Sequence, residues 1–223
     1  MDAWLTYLSR NWDRVLELTI AHALVTLTAV SIGTVVGVSL GVLSYRSPRG
    51  RGVVLRTTGL LLTIPSLALY ALLITIPGPG SGSLLGLGTR PVLVALTLYS
   101  LLPIVRNTIT GLLSVDPAIV ESAQGMGMDR WTRLRKIELP LAWPVVITGI
   151  RVSTMVLLGI AALGAIVNGP GLGELLFRGL SLAGRPAAIP PALTGFLGVV
   201  VLAGLLEVVF NLLTRLTTSR GVR

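Results

Sequence analysis

The 223-residue chain has no cysteine, one histidine and one lysine. Without cysteine there is no disulfide and no thiolate metal site. The lone histidine, His22, lies early in the first apolar run, far from the company a catalytic triad or zinc site needs, and reads as a packing or interfacial residue. A phosphate-binding loop of the Walker type needs Gly-Lys-Ser/Thr, but Lys136 is followed by Ile137, so the chain holds no such ATP site. Charged residues make up only 12% of the sequence and aromatics 5%. The formal net charge of +9 does not imply a nucleic-acid partner. The arginines fall mostly between apolar stretches, where membrane topology and anionic lipid headgroups account for them.

Apolar residues fill the remaining space. They form 52% of the chain, mean hydropathy is +0.85, and 26 glycines and 13 prolines accompany them. This is the composition of an all-α polytopic membrane protein, where neighbouring helices satisfy backbone groups freed by proline and glycine. We read residues 1–223 as a single transmembrane domain. Met1 to Glu17 is amphipathic, carries Trp4, Tyr7 and Trp12 for the interface, and lacks the pattern of a cleavable signal peptide. Five spans are expected: Leu18–Tyr45, Val53–Ile76 interrupted by Pro65, Pro91–Leu113 with a kink at Pro103, Leu141–Val167 and Ala192–Leu213. A sixth follows if the Pro65 stretch or the region near Leu172 is divided differently. Gly33, Gly37 and Gly41 recur every four residues and form a smooth stripe for close helix packing, against either this chain or a partner.

Between the third and fourth spans lies the longest stretch that is not membrane-like, with a charged loop at about 116–140. Asp116-Pro117 suits a helix start, with a capping side chain and a first-turn proline. Ala118–Met126 places Ile119, Val120, Ala123 and Met126 along one side of a short helix. Gly127 can turn the chain, and Asp129 can cap a second helix over Arg130–Ile137. Pro140 and Pro144 suit the start of the next span.

The spacing in this loop is specific. Glu121-Ser122-Ala123 is followed by three residues, Gly127, nine residues, and then Ile137-Glu138-Leu139-Pro140. This resembles the EAA loop of bacterial ABC importer permeases, with Ser122 where the family usually has alanine. Ile64-Pro65-Ser66-Leu67-Ala68, Leu98–Thr108, Val115-Asp116-Pro117, Gly125–Met128, Gly169–Gly173 and Phe177-Arg178-Gly179 are similar to the permeases for osmoprotectants, although Pro170 stands where a second glycine is common. The matches run roughly from residue 20 to 213.

The resemblance implies a type I importer fold in the bacterial inner membrane. It implies a second permease subunit (the same chain or a sister), two cytosolic ABC ATPases that bind the ATP, and an extracytoplasmic solute-binding protein. The chain itself is then neither an enzyme nor a cofactor carrier. The solute would be glycine betaine, choline or carnitine, moved by alternating access. Alternatives are a permease for another small solute such as an amino acid, or a membrane scaffold without an ATPase partner. Glu121, Ser122, Ala123, Met126, Gly127, Met128 and Trp131 are the expected ATPase-coupling residues. With the loop inside, the inside segments 46–56, 114–140 and 214–223 hold eleven basic residues and the outside ones five. That places the N-terminus outside and the C-terminus in the cytosol.

Polar groups at membrane depth complete the reading. Arg106, Arg151 and Glu207 lie at similar depths, and an ion pair from Glu207 to Arg151 or Arg106 is expected, because an unpaired charge there is costly. The alternative is that both arginines snorkel and Glu207 is solvated. Tyr70, Tyr99, Ser100 and Asn107 are candidate pathway residues, with packing as the competing role. Aromatics are too few for a quaternary-ammonium cage, which points to selectivity in the binding protein.

Overall fold

The structure is a computed structural model and describes residues 2–78 and 82–217. Residues 79–81 of the expected outer loop and 218–223 of the basic tail lie outside the described residues. Among the described residues, ten α-helices follow in order: α1 (Asp2–Arg10), α2 (Trp12–Ser44), α3 (Pro48–Thr63), α4 (Ser66–Thr75), α5 (Thr89–Leu113), α6 (Pro117–Gly125), α7 (Arg130–Arg133), α8 (Leu139–Leu163), α9 (Gly173–Ser181) and α10 (Ile189–Thr217). No strand is assigned among the described residues.

Among the described residues, four helical runs are long and apolar enough to cross a membrane: Trp12–Ser44, Thr89–Leu113, Arg130–Val167 and Pro186–Arg215. At 1.5 Å per residue, α2 alone is about 50 Å long. The second expected span is not one rod. It breaks at Ile64-Pro65, and α3 and α4 meet at 93°. A residue before proline is pushed out of the helical region, and Ile64 sits at φ −68°, ψ 124°. A break exposes a carbonyl, which in an apolar setting must find a donor. Here the Tyr99 hydroxyl donates to the Ile64 carbonyl at 2.8 Å. The region near Leu172 forms the nine-residue α9, too short to span.

α5 is the central post, packed between α2 and α8. The glycine stripe of α2 faces it. A Cβ at Gly33 would land on the Ser100 side chain, one at Gly37 would lie 2.9 Å from Ile104 Cγ2, and one at Gly41 would lie 2.6 Å from Thr108 Cγ2. The stripe is therefore used within the chain, against residues that also recur every four. Gly149 of α8 gives α5 the same close approach beside Asn107 and the Pro103 carbonyl. The helix runs unbroken through Pro103. Val92, Leu96, Tyr99, Tyr70 and Leu157 fill the centre of the core.

The second half of the loop also departs from the expected outline. α7 does not end before the next span. It passes through a π-turn, Leu134–Glu138, directly into α8, so Arg130–Val167 is one 38-residue helical run. The Leu139 N–H donates to the Leu134 carbonyl, five residues back. This widened turn carries the chain into Pro140, which stands in the first turn of α8.

Candidate functional site

α6 and α7 form an elbow between α5 and α8, built from local chemistry. Asp116 starts α6 by accepting the Ala118 N–H at 2.8 Å, and Pro117 occupies the first turn. The helix ends with the Met128 N–H on the Ala123 carbonyl at 3.2 Å and the Gly127 N–H on the Gln124 carbonyl at 3.0 Å. That paired closure is a Schellman motif, and it needs a left-handed residue after the cap. Gly127 supplies it, at φ +81°. A Cβ there would meet nothing within 4 Å, so the requirement is conformational rather than steric. Asp129 then caps α7, accepting the Trp131 N–H at 3.1 Å and the Thr132 N–H at 3.4 Å. Hydrogen bonding, led by the Thr132 side chain, holds the Asp129 carboxyl below its usual range.

The elbow has two faces. Ala123 is buried, on a helix that packs on α7 and the π-turn. Outward, Met126 is 70% exposed and Trp131 55%, with Ile119 also exposed and Met128 half-buried. The four residues expected along one side of α6 therefore split: Ala123 turns in, while Ile119 and Met126 turn out. Arg135 lies over the Trp131 ring at 4.5 Å. Glu121 and Ser122 are exposed, and Glu121 also borders a cavity shared with Tyr45, Arg46, Arg133 and Glu138.

That cavity is walled by a polar hub. Glu138 is only 3% exposed. Its Oε2 accepts from the Tyr45 hydroxyl at 2.5 Å, and its Oε1 accepts from Arg46 Nη2 and Arg133 Nε, each at 3.0 Å. The Tyr45 hydroxyl also accepts from Arg46 Nε at 2.5 Å. Buried Arg133 reaches on to Gln124 Oε1 of α6 at 3.5 Å. Burial, and then the bond to Glu138, pushes the Tyr45 hydroxyl up to about 12, so it keeps its proton and donates it. The hub joins the end of α2, the elbow helix and the start of α8 through one carboxylate. Sequence reasoning missed it for a physical reason. Residues five apart lie about 140° apart around an α-helix, so Arg133 and Glu138 do not read as a pair. The π-turn between them brings them together.

The structure brings Arg151 and Glu207 together, joining α8 to α10. Arg151 Nε donates to Glu207 Oε2 at 2.9 Å, and Nη2 pairs with Oε1. Arg106 is on an exposed face and has no ion-pair partner among the described residues. Tyr70, Tyr99 and Ser100 are buried in the bundle rather than set on an open surface. Their hydroxyls donate to backbone carbonyls of Ile160, Ile64 and Thr97. Asn107 is half-buried and its amide goes to the Pro103 carbonyl.

His22 has a definite task in the fold. Its Nε2 meets the Leu158 carbonyl at 3.0 Å, and its Nδ1 accepts the Leu172 N–H at 3.2 Å. One neutral tautomer serves both. Gly171, at φ +126°, lets the loop backbone lie against the ring, where a Cβ would come within 2.6 Å of Nδ1. The loop before α9 is thereby tied to α2 and α8. Among the described residues, no cluster of His, Asp and Glu is arranged to hold a metal ion.

Comparison with known proteins agrees with this geometry. The family described as "Binding-protein-dependent transport system inner membrane component" matches residues 33–220. The chain is 38% identical over 223 residues to the glycine betaine/carnitine/choline transport system permease protein OpuCB of Bacillus subtilis (strain 168), covering 100% of this chain and 97% of that protein. It is 38% identical over 219 residues to the osmoprotectant import permease protein OsmW of Salmonella typhimurium, covering 97% of this chain and 98% of that one. Its fold is similar to a chain of the MetNI methionine ABC transporter in an inward-facing conformation, with a TM-score of 0.78 at 22% identity over 92% of this chain and 96% of that chain. A membrane bundle with a capped, water-suited elbow, matched over nearly its whole length, belongs to the family of binding-protein-dependent transport system inner membrane components.

Proposed function

We propose that this chain is the permease subunit of an ATP-driven importer of quaternary-amine osmoprotectants, of the glycine betaine, carnitine or choline type. The observation that carries the substrate class is the full-length identity to permeases named for those solutes. The elbow supports the mode of action. It offers exposed Met126, Trp131 and Ile119 beside exposed Glu121 and Ser122, at a place where a lipid-facing surface has no use for charge. Such a patch suits docking of a cytosolic ABC ATPase, with Ala123, Gly127 and Met128 setting its shape. ATP binds and is hydrolysed in that partner. A second permease completes the path, and a solute-binding protein delivers solute at the opposite end of the bundle, near the loops at 77–90 and 168–190. In this arrangement the N-terminus is outside and the C-terminus cytosolic, in the inner membrane.

The hub explains how a push on the elbow reaches the bundle. Glu138 links it rigidly to α2 and α8, the two helices on either side of central α5. The test is uptake of radiolabelled glycine betaine into proteoliposomes holding the chain, its ATPase and its binding protein. ATP-dependent uptake of betaine, with no uptake of methionine, is expected. Uptake of an amino acid in its place would overturn the substrate class, and failure of any P-loop subunit to co-purify would overturn the importer reading.

A further inference from the structure

At the end of α2 remote from the elbow, α1 separates two cavities that differ in polarity. One flank of α1 carries Trp4 and Leu8, one turn apart, which with Trp12, Leu16 and Val201 line an almost wholly apolar groove of about 360 Å³. The other flank carries Tyr7 and Arg10, which with Arg178 of α9 line a cavity of about 380 Å³ whose lining contains no carboxylate among the described residues. Among the described side chains, the acids closest in the chain are already engaged or turned away. Glu17 and Glu174 both bind Arg14, at 2.9 and 2.6 Å, and exposed Asp13 lines neither cavity. Arg10 and Arg178 have no ion pair among the described residues. The Tyr7 hydroxyl is withdrawn from solvent and has no hydrogen-bond partner among the described residues. A covered polar group without a partner is rare and unfavourable unless something outside the chain satisfies it.

We propose that this flank of α1 is a binding site for the phosphate of an anionic phospholipid headgroup. Arg10 and Arg178 present guanidinium forks that match phosphate oxygens, and the Tyr7 hydroxyl supplies a further donor. The apolar groove on the other flank decides between lipid and an acidic protein surface. It places α1 at the level where headgroups give way to chains, as an amphipathic helix lying in the interface, with Trp4 and Trp12 suited to that depth. Trp4 is fixed there by its indole N–H, which donates to Thr194 Oγ1 of α10 at 3.1 Å. Lipid captured here clamps α1 and α9 to the bundle at the end away from the ATPase.

The experiment uses the assembled transporter in nanodiscs, with brominated phosphatidylglycerol or brominated phosphatidylcholine as the probe and tryptophan fluorescence as the readout. A Trp4→Phe variant identifies the Trp4 signal. Phosphatidylglycerol is expected to quench Trp4 at lower mole fraction than phosphatidylcholine. The preference should fall about fivefold for each arginine removed, towards parity in Arg10→Gln/Arg178→Gln. Arg10→Lys/Arg178→Lys, which keeps the charge, should retain most of it and guards against a mere folding defect. Equal quenching by the two lipids, or a preference unchanged in the glutamine variant, would overturn the proposal. Competition by inorganic phosphate would reassign the site to a free anion. A glutamine variant with normal lipid preference but weakened binding of the solute-binding protein would make the surface a protein dock instead.

Discussion

Replacing Glu138 with glutamine tests the hub with little change of shape. Three donors converge on this carboxylate, from Tyr45, Arg46 and Arg133. Hydrogen bonds to a charged acceptor contribute about 1 kcal/mol more than neutral ones, so neutralising the acceptor weakens the set by about 3 kcal/mol. Arg46 has a side chain 41% exposed and can turn to water, whereas Arg133, at 10%, keeps an uncompensated charge. Breaking a buried pair costs about 3–5 kcal/mol, so the two routes agree on about 3. Because Arg133 also holds Gln124, the loss falls on the docking of α6. Every 1.4 kcal/mol is tenfold, so the population with α6 undocked should rise about a hundredfold. Hydrogen exchange on the assembled transporter should show the amides of residues 122–128 exchanging faster by about that factor. Those in the middle of α5 should be unaffected. In proteoliposomes, ATP hydrolysis should continue while solute moved per ATP falls. Unchanged exchange at 122–128 would refute the reasoning, because the hub would then not hold the elbow.

Other outcomes follow from single features. Gly127→Ala forces a side chain into the left-handed region at a strain of about 1–2 kcal/mol; stable insertion with reduced solute per ATP is expected, and Gly127→Pro and Glu121→Lys should uncouple hydrolysis from uptake more completely. Gly37→Val drives a branched side chain into Ile104 and should lower the thermal midpoint of the purified chain through about 1–3 kcal/mol of overpacking. A double-mutant cycle on Arg151→Ala and Glu207→Ala should give a coupling of about 1 kcal/mol, modest because both side chains are about a third exposed. Asp129 has a lowered folded-state pKa, so its cap contributes fully above the ordinary value near 3.8 and fades as pH falls through the lowered one; exchange at the Trp131 amide should rise only at acid pH, and Asp129→Asn should flatten that dependence.

What the sequence revealed was chemistry local to a few residues. Asp116-Pro117 announced the start of α6 and Gly127 its end, because capping and a left-handed turn need only nearby atoms. The similar depths of Arg151 and Glu207 followed from counting along helices. The choice of Arg151 over Arg106 did not, because it depends on which face of α5 is turned outward. Tyr70, Tyr99 and Ser100 stand out as candidates for a solute path because they are polar in apolar runs. Their partners are carbonyls, in two cases on other helices, and no local pattern announces those. The bend at Pro65 was signalled, but its 93° turn is supported by Tyr99 from a helix more than thirty residues away. The glycine stripe was plain to see, while its partner, α5, was not. Outermost in difficulty was the Glu138 hub, which draws on four elements and a non-α turn.

That turn acts as a phase setting. A helix adds 100° of rotation per residue, so the one additional residue accommodated in Leu134–Glu138 fixes the compass bearing of Trp131 and its neighbours relative to the span above. Forcing this turn back to regular winding with its extra residue retained would swing the apolar patch by about 100°, more than a quarter of a revolution. The membrane rods would remain sound, and the motor beneath them would find its handle facing the wrong way.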